Sequence, residues 1–224
     1  MEATTPATET AVDRRLKLTE IFYSVQGESD LVGWPTVFVR LTGCPLRCSW
    51  CDTPYSFHGG EWATFDEILE TIRGYNCQRV CVTGGEPLAQ KRCIPFLAML
   101  CDAGLTLSLE TSGALPVDQV DPRVIKVIDF KAPGSGEVAR NLWDNLNWLQ
   151  PHDQIKLVLT GRQDFDWALE QIASHRLDRW QVLLSPVWET LPPAQLAEWI
   201  LESQAPVRLQ LQLHKVLWGE SPGR

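Results

Sequence analysis

The chain has 224 residues, 44% of them apolar and 21% charged, an ordinary globular balance with enough length for one sizeable core. Lys plus Arg number 20 against 28 for Asp plus Glu, and the net charge of −8 argues against a general binder of nucleic acid or anionic membrane. No apolar run approaches the roughly 20 residues of a spanning helix, and the N-terminus lacks the basic-then-apolar layout of a signal peptide, so a soluble, cytoplasmic protein is expected.

Residues 1–15 are Thr-rich and without apolar periodicity, which predicts a flexible leader ahead of a single domain over 16–224. Strands are predicted at Glu20–Val25, Thr36–Leu41, Arg79–Thr83, Leu105–Glu110, Val124–Phe130, Gln154–Leu159, Trp180–Leu184 and Val207–Leu213. Several are nearly continuous apolar runs, as a parallel sheet covered on both faces requires. Between them, Thr64–Asn76 opens on the capping pair Thr64 and Glu67, Gln90–Asp102 ends at Gly104, and Glu137–Leu149 stops before Pro151. Phe165–His175 and Pro193–Ser203 complete the helices, the last led in by Pro192. This α/β rhythm forms either a barrel or an open sheet. In the last strand Val207, Leu209, Leu211 and Leu213 alternate with Arg208, Gln210, Gln212 and His214; its polar face belongs either to a wet cavity or to a solvated edge.

Seven cysteines are an odd number, and three of them crowd between Cys44 and Cys51, so disulfide scaffolding explains them poorly. Cys44-Pro-Leu-Arg-Cys48-Ser-Trp-Cys51 follows the run Val37–Leu41 through Thr42 and Gly43, which puts three thiols at a strand's C-terminal end, where α/β barrels carry catalytic loops. Three thiolates can hold three corners of an iron–sulfur cubane and leave the fourth iron open to substrate. The alternative is structural zinc with His58 as fourth ligand, although zinc sites usually pair ligands from two separated knuckles. Cys77, Cys81, Cys93 and Cys101 read as small buried thiols and less well as a second cluster.

The Cys-x3-Cys-x2-Cys spacing with Trp50 before the third cysteine resembles the signature of the radical S-adenosylmethionine enzymes, and Val82-Thr83-Gly84-Gly85-Glu86-Pro87 is similar to their GGEP segment. Within that superfamily, the stretch Glu20–Glu28, the pattern Gly33-x-Pro35-x-x-Phe38-x-Arg40-Leu41 and the run Cys51-Asp52-Thr53 resemble the 7-carboxy-7-deazaguanine synthase family. So do Glu110-Thr111-Ser112-Gly113, Asp129-Phe130-Lys131-x-Pro133, Ser185-Pro186-Val187-Trp188 and Leu211-Gln212-Leu213-His214-Lys215; the likeness covers nearly everything from residue 17 onward.

The resemblance implies a modified, partial (β/α) barrel of the radical SAM type, usually a homodimer. It implies a lyase of queuosine and deazapurine biosynthesis that converts 6-carboxy-5,6,7,8-tetrahydropterin to 7-carboxy-7-deazaguanine with loss of ammonia. A 4Fe-4S cluster on Cys44, Cys48 and Cys51 would split S-adenosylmethionine into a 5'-deoxyadenosyl radical, with electrons from a flavodoxin-like donor. Val25, Gln26, Gly27 and Thr83 would meet the pterin, and Arg40 its carboxylate, which a guanidinium binds bidentately. Thr53 would ligate Mg2+. Trp50, Gly85, Glu86, Glu110, Ser112, Asp129 and Lys131 would contact S-adenosylmethionine, although Asp129 and Lys131, sharing a strand face, also read as a local ion pair. One departure stands out: family members end near a proline whose terminal carboxylate can face the substrate, whereas this chain runs Gly219-Glu220-Ser221-Pro222-Gly223-Arg224. The rival readings are a glycyl-radical enzyme activase, which shares the cluster loop but needs no pterin, and a non-catalytic zinc or iron–sulfur protein.

Overall fold

The computed structural model describes residues 14–219 together with Ser221 and Gly223; most of the expected leader lies outside these residues. Nine strands form one sheet: β1 (Arg15–Val25), β2 (Pro35–Leu41), β3 (Glu61–Thr64), β4 (Arg79–Gly84), β5 (Thr106–Thr111), β6 (Ile125–Lys131), β7 (Gln154–Leu159), β8 (Gln181–Pro186) and β9 (Arg208–Leu209). Their order is β3-β1-β2-β4-β5-β6-β7-β8-β9. β1 runs antiparallel to both neighbours, and every pairing from β2 onward is parallel. The sheet ends on β3 and β9 without closing, which is the incomplete barrel expected.

The two faces of the sheet differ, contrary to the doubly apolar sheet read from the strand sequences. The outer face carries Val80, Val82, Leu107, Leu109, Ile128, Phe130, Ile155 and Leu157, packed against α1 (Phe65–Gly74), α2 (Cys93–Asp102), α3 (Arg162–His175) and α4 (Pro193–Ser203) through Ile68, Ile72, Phe96, Leu100, Phe165, Ile172 and Leu196. Full burial of such side chains supplies about 1.5–3 kcal/mol each and dominates the fold's stability. The inner face alternates with it and carries Thr83, Glu110, Asp129, Lys131 and Lys156. A period of two therefore divides helix-facing from cavity-facing chemistry along single strands.

Local chemistry explains the element ends. Thr64 caps α1 through its Oγ1, which accepts from Glu67 N at 3.2 Å, while Glu67 returns a carboxylate oxygen to Thr64 N at 2.7 Å. The helix expected over Glu137–Leu149 is instead 3-10 turns at Val138–Arg140 and Trp143–Trp148. Asn141 and Asn145 divert the backbone: Asn141 brackets Lys131 N and O at 2.7 and 2.9 Å, and Asn145 accepts from Val117 N and donates to Leu115 O. The strand expected over Val207–Leu213 shrinks to Arg208–Leu209, because the chain leaves the sheet once Gln210 N has bonded Leu184 O. It then crosses to Gly27, whose carbonyl accepts from Leu213 N, and forms α5 (Leu213–Trp218). β3 has no counterpart among the expected strands, and β1 begins at Arg15, inside the stretch assigned to the leader. No helix among the described residues is long and apolar enough to cross a membrane.

Candidate active site

A cavity of about 540 Å³ opens at the C-terminal ends of the parallel strands. It brings together Cys44, Cys48 and Cys51, Val25 and Gln26, Arg40, Trp50, Thr53, Thr83, Gly85, Glu110, Ser112, Asp129 and Lys131. Of the residues given a site role by the resemblance, Gly27 and Glu86 do not line it, and neither do His58, Cys77, Cys81, Cys93 and Cys101.

The three cysteines are free, half-buried thiols on the loop after β2. Burial pushes each thiol above its ordinary value, Cys48 to about 11, and Lys131 partly opposes this at all three. Apo thiols are therefore protonated at neutral pH, and metal loading must displace their protons. Among the described residues no three His, Cys, Asp or Glu side chains converge on a single-ion position. A cubane asks for no such point, because each thiolate binds a different iron. Around the thiols, Trp50 Nε1 and Asp129 Oδ1 are buried without a partner in the protein, and both residues face the cavity. Buried polar atoms are normally satisfied, so these two mark places for ligand atoms. Lys131 Nζ lies 3.1 Å from Asp129 Oδ2 and 5.2 Å from the Trp50 ring centre. The local ion pair and the cofactor wall are thus the same residues.

The glycines after β4 pack the cluster loop. A Cβ on Gly84 would meet Leu41 O at 2.4 Å, and one on Gly85 would meet Gly43 O at 2.4 Å and Cys44 Cβ at 2.7 Å. Only bare backbone fits there, tied by Gly85 N to Leu41 O and Glu86 N to Gly43 O. Glu86 is fully buried beneath this contact, and its carboxylate accepts from Leu88 N, Thr111 Oγ1, Ser112 N and Ser112 Oγ at 2.6–3.0 Å. With its acceptor positions taken, Glu86 positions Ser112; it is a brace behind the wall, in place of the ammonium acceptor expected.

The opposite wall is strongly polar. Glu28 and Lys156 form a buried ion pair, one residue in the loop after β1 and the other on β7. Burial pushes Glu28 upward, but Lys156 outweighs it and holds the carboxyl below its ordinary value. Glu110 has no cation bonded to it: Gln26 Nε2 donates at 3.4 Å and Thr83 Oγ1 at 3.3 Å. Burial and the neighbouring Glu28 raise its pKa. Glu110 is therefore hydrogen-bonded to two of the residues assigned to the pterin, Gln26 and Thr83. At the rim, Lys215 Nζ lies 3.3 Å from Asp52 Oδ2 and Thr53 Oγ1 donates to Asp52 Oδ1 at 2.8 Å. Burial acts to raise Asp52, yet Lys215 and the Thr53 hydroxyl bring it down to about 2.

Gly27 acts at one remove. A Cβ there would lie 2.0 Å from His214 Nδ1, so the glycine admits the C-terminal segment that carries Gln212, His214 and Lys215 into the cavity lining. Burial lowers His214, so it is neutral at physiological pH. Glu28, Asp52, Lys156, His214 and Lys215 also line the cavity although sequence reading gave them no site role; four of them lie in the family-like segments, and Lys156 shows only as the one charged residue of Gln154–Leu159.

Residues 38–129 match the family model of the Radical SAM superfamily. The chain is 45% identical over 207 residues to the 7-carboxy-7-deazaguanine synthase of Chlorobaculum tepidum, covering 91% of this chain and 94% of that protein. It is 40% identical to the 7-carboxy-7-deazaguanine synthase of Koribacter versatilis, over 91% and 97% of the two chains. The crystal structure of QueE from Escherichia coli superposes with a TM-score of 0.74 at 26% identity, covering 89% of this chain and 95% of that one. A structure of TYW1 with a lysine–pyruvate adduct, at TM-score 0.55 and 14% identity over 73% and 70%, shares the fold alone. The chain belongs to the 7-carboxy-7-deazaguanine synthase family of the radical SAM superfamily.

Proposed function

We propose that the protein converts 6-carboxy-5,6,7,8-tetrahydropterin to 7-carboxy-7-deazaguanine with release of ammonia, as a radical SAM lyase. The observation that carries this reading is the two-sided cavity: three thiols with unpartnered polar atoms on one wall, and a buried acid–cation set suited to a charged, hydrogen-bonding bicycle on the other. Cys44, Cys48 and Cys51 hold the 4Fe-4S cluster, and Trp50, Gly85, Ser112, Asp129 and Lys131 surround S-adenosylmethionine. When bound, these two groups supply a carbon-centred radical able to take hydrogen from the pterin.

The protein's own residues bind, orient and exclude water. Arg40 receives the substrate carboxylate as a planar fork. Gln26, Glu28, Thr83 and Glu110 meet the polar edge of the pterin, with Val25 beside it. Thr53 offers a hydroxyl to Mg2+. Burial and Glu28 raise the Glu110 pKa, which favours its protonated form relative to an ordinary carboxyl. The same reading carries a flavodoxin-like electron donor, a homodimer and a cytoplasmic site of action in queuosine biosynthesis. It is tested by anaerobic turnover of the reconstituted enzyme with the carboxylated tetrahydropterin, with ammonia and deazaguanine product measured. A rate no greater than that of a Cys48→Ala variant would remove the assignment, and deoxyadenosine formed without any pterin requirement would favour the activase reading.

A further inference from the structure

Arg40 and Glu20 face each other across the β1–β2 ladder, and the register places them directly opposite. Arg40 Nε donates to Glu20 Oε1 at 2.8 Å, and the hydroxyl of Tyr55 donates to the same oxygen at 2.9 Å. The guanidinium carbon lies 5.7 Å from the centre of the Phe22 ring and 6.0 Å from that of Tyr55. Its terminal nitrogens have no partner among the described residues, and the residue lines the cavity. Held at Nε by Glu20, the guanidinium presents its two terminal amino groups, the edge that meets a carboxylate bidentately.

Tyr55 comes from the turn Pro54–Phe57, which starts immediately after Thr53, and the ring is half-exposed at the cavity mouth. Neither Glu20 nor Tyr55 lines the cavity. A conserved fold does not demand this arrangement, since an arginine on a strand end could equally bind water or a nearer acid. We propose that Glu20 and Tyr55 are positioning residues that aim the Arg40 guanidinium at the substrate carboxylate and so set the preference for a carboxylated pterin. This rests on the reading of Arg40 given above.

The test is steady-state kinetics of reconstituted Tyr55→Phe, Glu20→Gln and Arg40→Lys enzymes, with iron content and melting temperature measured on each. Tetrahydropterin lacking the carboxylate serves as a competitive inhibitor. Tyr55→Phe and Glu20→Gln are expected to raise KM for the carboxylated substrate about tenfold, the order of one charge-assisted hydrogen bond, with far less change in kcat. Inhibition by the decarboxylated analogue should keep its constant, and Tyr55→Phe should add little in an Arg40→Lys background. If Arg40→Lys raises KM while Tyr55→Phe and Glu20→Gln do not, the positioning role is wrong and the carboxylate reading stands. If Arg40→Lys is itself silent, the reading of Arg40 fails first. Equal losses toward substrate and analogue would place Tyr55 on the pterin ring and overturn the proposal.

Discussion

Replacing Lys156 with Met tests whether the polar wall is held by charge pairing. The side chains of Lys156 and Glu28 are 11% and 7% exposed, so removing the cation leaves a carboxylate with almost no water to solvate it. Breaking such a pair costs about 3–5 kcal/mol. For a chain of this size each kcal/mol moves the melting temperature by roughly 2–4 °C, so a drop on the order of 6–20 °C is expected. The pH dependence gives the sign. In the wild type Lys156 holds Glu28 below its ordinary value, so this stabilisation is present above the unfolded carboxyl pKa and lost as pH falls through the folded one. Without Lys156, burial dominates and Glu28 rises above its unfolded value, so the penalty grows as pH increases and disappears as the carboxyl takes a proton. The melting-temperature gap between variant and wild type should therefore narrow from about pH 8 to about pH 5. Calorimetry of the apo-protein measures it, and a Glu28→Gln/Lys156→Met double variant should recover part of the loss. A single variant within about 2 °C of wild type at every pH would refute the reasoning.

Gly85→Ala should displace the loop bearing Cys44, because the new methyl meets backbone that cannot yield; a cost of about 1–3 kcal/mol and clearly reduced iron after reconstitution are expected, and full iron loading would contradict the packing argument. Glu86→Gln turns an acceptor into a donor facing Ser112 and Leu88, so stability should fall by about 1–3 kcal/mol while affinity for S-adenosylmethionine changes little. Lost affinity at unchanged stability would return Glu86 to the cofactor's contacts. Thr53→Ala should weaken the response of turnover to Mg2+ and leave the cluster's absorbance intact; an unaltered magnesium titration removes Thr53 from the metal's shell.

What sequence revealed was local. The cysteine triplet, the two glycines before Glu86 and the capping pair Thr64–Glu67 act over a few residues, so spacing alone describes them. The polar wall is not local: Glu28 and Lys156 are 128 positions apart and meet only because the sheet curls. A lone Lys in an apolar strand is an ambiguous sign, as Lys126 shows. It shares β6 with Asp129 and Lys131, yet pairs with buried Asp153 2.8 Å away and is absent from the cavity lining. Strand parity separates them, since residues 127, 129 and 131 face inward, and parity needs a register that only the fold supplies. The two misread elements have similar causes. Asparagine side chains took over backbone bonds between 137 and 149, and an alternating pattern after Arg208 matched a strand that the sheet had no room to continue.

Charge matching within the cavity limits what can enter it. Lys156 is committed to Glu28, Lys215 to Asp52 and Lys131 to Asp129, while Arg40 shares Glu20 with Tyr55. Among the described residues no cation is bonded to Glu110, and burial and the neighbouring Glu28 raise its pKa against the opposing pull of Lys156 and Arg40. An incoming carboxylate would add a negative charge to a cavity that already contains the buried Glu110. Arg40 can receive it through its terminal nitrogens, but the remaining imbalance calls for a further cation near the same strand end. The proposed Mg2+ on Thr53 would sit next to Asp52, whose carboxyl Lys215 and the Thr53 hydroxyl already hold down at about 2. On the proposal that Thr53 holds Mg2+, weakening Arg40 should make turnover more dependent on magnesium, and a magnesium titration of Arg40→Lys that overlays the wild type would refute this.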